Sequence, residues 1–160
     1  MSRLSARASQ AEDPQMSPMD GFALAAMPGH LIRRVQQVAV RLFAENVGSD
    51  FTPVQFAALA ALSQNAGIGQ AALAAMIGCD RATTGGVIDR LESRGFVKRT
   101  QDPKDRRSNN VSLTREGQAA LEQGREQVEH VQELLLEALS AEEKSSFEAI
   151  CLKILRHHGG

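Results

Sequence analysis

Eight basic side chains crowd the stretch from Arg81 to Arg107: Arg81, Arg90, Arg94, Lys98, Arg99, Lys104, Arg106 and Arg107. Four acids, Asp89, Glu92, Asp102 and Asp105, share it, leaving a surplus of four positive charges. A guanidinium presents a planar fork of donors that suits phosphate oxygens and the acceptor edges of bases. From Thr114 to Ile150 the balance inverts, with three bases against nine glutamates. The formal net charge of the 160-residue chain is only −1, so the bulk number conceals this asymmetry. A basic module beside an acidic one predicts that part of the molecule, and not all of it, meets a polyanion.

Catalytic chemistry finds little to work with. The histidines are His30, His130, His157 and His158, and the only thiols are Cys79 and Cys151. There is no G-x-S-x-G turn, no phosphate-binding loop and no H-E-x-x-H helix. The cysteines are far apart and in no metal-ligand spacing, and the plain reading is two small buried hydrophobes. The sequence therefore predicts no catalytic residue, no metal and no cofactor. It shows no signal segment and no long apolar run, which predicts a cytoplasmic protein with reduced thiols and no membrane partner.

The elements that hold the basic residues follow from caps and periodicity. Residues 1–19, rich in Ser, Ala, Gln, Pro and Met, read as a flexible tail. Leu31, Val35, Val38 and Leu42 recur at helical spacing, so residues 20–48 hold an amphipathic helix ending near Gly48. Thr52, Pro53 and Gln55 form a capping box for a second helix, with Phe51 and Phe56 spaced as a hydrophobic staple. A short helix from Gln70 to Ile77 closes at Gly78. Asp80 then caps a fourth, which runs to Arg94 and stops at Gly95. Residues 96–100 and 110–113 read as strands around a charged turn containing Pro103.

Helix, turn, helix, hairpin is the order of a winged helix-turn-helix, here over residues 49–113. Beyond it, residues 114–160 hold a long helix capped by Thr114 and a last one opened by Ser140 and Glu143. Phe147, Ile150, Cys151, Ile154 and Leu155 of that last helix are expected to turn inward. The fold class is mainly α with a small β-hairpin wing and long N- and C-terminal dimerisation helices. Burial of their apolar stripes against a second copy gives a two-fold homodimer; an intramolecular cap over one lobe is the alternative.

Several stretches resemble the MarR family of bacterial transcription regulators. They are Phe51–Phe56, Asp80–Leu91 and Asp102–Ser108, the last followed by an L-T-x-x-G helix start at Leu113 to Gly117. The resemblance implies a dimer on a pseudo-palindromic operator of double-stranded DNA. It implies a regulator, and on balance a repressor, released by a small effector such as an aromatic carboxylate or its coenzyme A thioester. A thiol-based redox sensor of the same fold is the alternative. Peroxide-sensing relatives carry a Cys early in the first long helix, where this chain has none, and it has no Tyr.

Within that frame the fourth helix, from Arg81 to Arg94, reads bases. Thr84, Val87, Ile88 and Leu91 form its core face, which turns Ala82, Thr83, Gly86, Asp89 and Arg90 outward. Ala82 suits a thymine methyl, and the Thr83 hydroxyl suits a base edge or a phosphate. Arg81 and Arg90 suit phosphates. Gly85 and Gly86 weaken the helix, either for close backbone approach to DNA or for close packing against a neighbouring helix. The resemblance places Arg106 and Arg107 in the minor groove with Lys104 on flanking phosphates, and pairs Asp89 with Arg107 to orient the wing. For the effector, His30 and Arg34 share a helical face that can hold a carboxylate, with Phe43 and Phe56 as walls.

Overall fold

Caps set the helix boundaries. In the computed structural model, which describes residues 23–48, 50–102 and 109–159, Thr52 Oγ1 accepts from Gln55 N and Gln55 Oε1 accepts from Thr52 N. This reciprocal box opens α2 (Pro53–Gln64), and the rings of Phe51 and Phe56 meet edge to face at 6.3 Å across it. Gly78, in the left-handed region at φ 64°, ends α3 (Gln70–Ile77). Asp80 caps α4 (Arg81–Ser93), Thr114 caps α5 (Arg115–Leu135), and a Ser140–Glu143 box opens α6 (Ala141–His157). The first helix, α1, spans Pro28–Val47 after a 3₁₀ turn at Leu24–Ala26.

The chain divides into two compact units, Met1–Val35 and Gln36–Gly160. In the first, the described residues are the 3₁₀ turn and the opening turns of α1, whose Leu31, Ile32 and Val35 are exposed. The second holds the core. Leu59 and Leu62 of α2, Leu73 of α3, Ile88 and Leu91 of α4, and Val131 of α5 are almost wholly buried there. Burying one such side chain stabilises by roughly 1.5–3 kcal/mol.

The sheet has three strands in the order β1-β3-β2, all antiparallel: β1 (Ile68–Gly69), β2 (Val97–Gln101) and β3 (Asn109–Leu113). The register pairs Val97 with Leu113 and Gln101 with Asn109, one residue from the sequence-based strand limits. Val97 and Val111 point into the core, so β2 and β3 each bury one face. The β1 strand was not anticipated. Two residues are too few to show a period, and Ile68 and Gly69 become a strand only by pairing with Val111 and Asn110.

Two glycines let α5 lie close. A Cβ at Gly117 would collide with the Phe96 carbonyl, which already accepts from Thr114 N at 3.0 Å. A Cβ at Gly124 would stand 2.8 Å from Phe56 Cε2. The α6 helix leaves its apolar stripe uncovered within one chain. Phe147, Ile150, Ile154 and Leu155 are exposed and Cys151 is half-buried, so none turns into a core within the chain. The stripe has the right spacing, but no described residue of the same chain covers it.

Candidate nucleic-acid interface

The α4 helix divides cleanly by face. Thr84, Val87, Ile88 and Leu91 are buried at i, i+3, i+4 and i+7. That leaves Arg81, Ala82, Thr83, Asp89 and Arg90 exposed and Gly86 half-buried on the outer side. Thr84 can sit in the core because its hydroxyl donates to the Asp80 carbonyl at 2.8 Å.

The first turn is tied from two directions. Asp80 Oδ1 accepts from Thr83 N at 2.8 Å, and Oδ2 accepts from the Thr83 hydroxyl at 2.6 Å. These bonds to Thr83, side chain first and backbone second, hold the Asp80 carboxyl below its ordinary pKa. From the opposite side, Gln70 Nε2 of α3 donates to the Arg81 carbonyl at 3.0 Å. Gly85 makes room for it, since a Cβ there would lie 3.1 Å from that nitrogen. Gly86 is different: nothing stands within 4 Å of its Cβ position. The two open readings of the glycine pair thus separate. Gly85 serves packing against α3, and Gly86 leaves bare backbone on the outer face.

At the far end, α4 is joined to the wing through Arg99 of β2. Its guanidinium donates to Asp89 Oδ1 at 2.5 Å and also to Glu92, whose other oxygen accepts from Arg99 N at 3.1 Å. Burial works against the Arg99 charge, and the hydrogen bonds to Asp89 and Glu92 more than offset it, so its pKa is raised. Sequence reading placed Asp89 as the wing-orienting residue with Arg107 as partner. Its partner among the described residues is Arg99, while Lys104, Arg106 and Arg107 lie outside them. Arg99 and Glu92 were missed. A strand that starts four residues after a helix ends returns along that helix's last turns, but which of its side chains meets Asp89 and Glu92 depends on the crossing angle.

Arg94 makes a second joint. It donates to the Asp50 carbonyl, and its guanidinium carbon lies 4.8 Å from the Phe51 ring centre and 4.6 Å from that of Phe96. These residues edge a cleft of about 580 Å³ floored by Ala119, Ala120 and Gly124 of α5. Phe43 and Phe56, expected as ligand walls, do not line it. They are core residues packed edge to face on each other at 6.5 Å. His30 and Arg34 belong to the other compact unit, where Arg34 is exposed and His30 Nδ1 lies 3.4 Å from the Arg33 guanidinium. Cys79 and Cys151 are free thiols.

Comparison with known proteins decides the family. Residues 51–108 match the model of the MarR family. The chain is 30% identical over 145 residues to the HTH-type transcriptional repressor NicR of Pseudomonas putida, covering 89% of this chain and 92% of NicR. The chain belongs to the MarR family. The PcaV transcriptional regulator of Streptomyces coelicolor, solved with its natural ligand, superposes with a TM-score of 0.81 at 31% identity, over 86% of this chain and 98% of PcaV. BpsR of Bordetella bronchiseptica, whose DNA binding is regulated by 6-hydroxynicotinic acid, gives 0.80 at 29%, over 83% and 96%. As a MarR-family protein the chain is a DNA-binding transcription regulator with a winged helix-turn-helix, and not an enzyme. No helix among the described residues is long and apolar enough to cross a membrane.

Proposed function

We propose that this MarR-type regulator is a repressor that sits on its operator as a homodimer and is released by an aromatic carboxylate or the coenzyme A thioester of one. The observation that carries the proposal is the likeness to NicR, a repressor, and to BpsR, whose DNA binding answers to 6-hydroxynicotinic acid. In this reading Ala82, Thr83 and Gly86 face base edges while Arg81 and Arg90 hold phosphates. Arg106 and Arg107 enter the minor groove, and Lys104 flanks them. Asp89 orients the wing through Arg99. His30 and Arg34 grip the effector carboxylate, and release is a population shift toward dimers whose recognition helices are wrongly spaced for DNA.

The test is a mobility shift of labelled promoter DNA by the purified protein, followed by titration with benzoate- and pyridine-carboxylate-type acids and their thioesters. The protein–DNA complex should form with strong salt dependence and be released by one of these ligands. His30→Ala and Arg34→Ala should raise the ligand concentration needed. Release with unchanged potency in both variants refutes the assignment of those two residues, and failure of every acid and thioester refutes the effector class.

A further inference from the structure

Asp80 and Thr83 are one hydrogen-bonded unit. The Thr83 hydroxyl has a single proton, and at 2.6 Å from Asp80 Oδ2 that proton lies on the line to the carboxylate, which as an anion has none to offer. What the pair then turns outward, at the exposed start of α4, is lone pairs alone. Resting on the reading of α4 as the recognition helix, we propose that Asp80 and Thr83 form an acceptor-only reader that selects an exocyclic amino group in the major groove, cytosine N4 before adenine N6.

The base edges sort accordingly. Guanine offers O6 and N7 and thymine offers O4, all acceptors, which would set lone pair against lone pair. Cytosine offers its N4 amino group, and adenine offers N6 but sets the N7 acceptor beside it. Phosphate oxygens are acceptors too, so Thr83 is a base reader and not a backbone anchor. Turning the hydroxyl to donate to a base or phosphate would break a bond to a charged group, roughly twice as strong as a neutral one. The backbone bond from Thr83 N at 2.8 Å fixes the carboxylate in place while the hydroxyl is read.

The experiment begins with the full-length protein and a pool of randomised duplexes, which yields the preferred half-site. Competition with every single-base change follows, for wild type, Thr83→Ser, Thr83→Val and Asp80→Asn, each checked by thermal melting. Wild type should show one base pair per half-site preferred by roughly 5- to 150-fold, and the preference should be lost when the exocyclic amino group alone is removed from its cytosine or adenine (a 4-deamino pyrimidine or an unsubstituted purine in that strand). Thr83→Ser should keep that preference and Thr83→Val should lose it, both with the wild-type salt slope. Asp80→Asn keeps a good cap but frees the hydroxyl proton, so it should admit guanine or thymine at the same position. The proposal is overturned if Thr83→Val weakens binding equally on all sequences and lowers the salt slope, which marks a phosphate contact. A Thr83-dependent preference that survives removal of that amino group, and is lost instead when the guanine O6 or thymine O4 of the same pair is removed, overturns it as well. If the wild type selects no sequence at all, the base-reading role of α4 falls with it.

Discussion

Arg99 satisfies two carboxylates that sit one turn apart on α4, and it does so from the strand that starts the wing. Its side chain is 25% exposed and that of Asp89 is 68% exposed, so solvent screens the Asp89 bond, and such a pair is worth about 0–1 kcal/mol to stability. Its larger effect is on direction, because it fixes where β2 leaves the helix. Arg99→Ala should therefore change the melting temperature little but weaken operator binding, by no more than the wing's own contact contributes. That contact is set by Arg107→Ala, expected to cost roughly 1–3 kcal/mol in DNA affinity. The two effects should be non-additive, since a wing without Arg107 gains less from being aimed. Full additivity in a double-mutant cycle would show that Arg99 does not act through the wing. Arg106→Ala should instead reduce the salt slope by about one. Gly86 makes the cleanest residue-level contrast. With its Cβ position open, Gly86→Ala should stabilise α4 by roughly 0.5–1 kcal/mol and still weaken DNA binding, because a methyl group then stands where bare backbone faces the groove. A variant that melts higher and binds operator as well as wild type would remove Gly86 from the interface.

At the scale of elements, what could be read from sequence was whatever depends on neighbours along the chain. The boxes at Thr52 and Ser140, the Asp80 cap and the stop at Gly78 need only a few consecutive residues, and each lies where those residues put it. The spacing of Thr84, Val87, Ile88 and Leu91 was equally plain, since a helix period repeats. What escaped needed contact across the fold. The β1 strand exists only through β3, and the Arg99 joint depends on the angle at which β2 passes α4. Phe43 and Phe56, which the family resemblance suggested as ligand walls, are buried and packed on each other in the single chain, and an aromatic in a helix has the same sequence pattern whether it lines a cavity or fills a core. Here Gly124 opposite Phe56 shows that the space is filled. The same logic makes α5 intolerant. Gly117→Ala would drive a methyl into the Phe96 carbonyl, at the point where β2 and the start of α5 are tied by Thr114. Backbone cannot yield as a side chain can, so the cost should reach or exceed the roughly 1–3 kcal/mol of an overpacked core. Denaturant unfolding of Gly117→Ala with a midpoint equal to wild type would contradict that packing.

The molecule as a whole carries apolar surface that one chain leaves uncovered. Ile32 of α1 is 59% exposed and Ile150 of α6 is 57% exposed, and Leu31, Val35, Val38, Val40, Leu152, Ile154 and Leu155 are each exposed by more than a third. A set this large on two amphipathic helices is unusual for a monomer and ordinary for a protein that buries it against another copy. The charge distribution fits the same division, with the basic excess between Arg81 and Arg107 and the glutamates on the helix that follows. In the proposed dimer the two α4 helices are related by a two-fold axis, so operator half-sites should lie about 10 bp apart, one helical turn. A charge placed on the uncovered stripe tests this directly. Ile154→Glu puts a carboxylate on an exposed position of the single chain, so it should leave the DNA-reading lobe folded, yet it would place that carboxylate in the dimer interface. Sedimentation of wild type should give twice the chain mass and that of Ile154→Glu a shift toward the monomer. Binding of the variant to a full operator should fall toward that of a half-site. A wild-type protein that sediments as a monomer down to and above the concentrations at which it binds operator would sink the dimer, and with it the expected spacing.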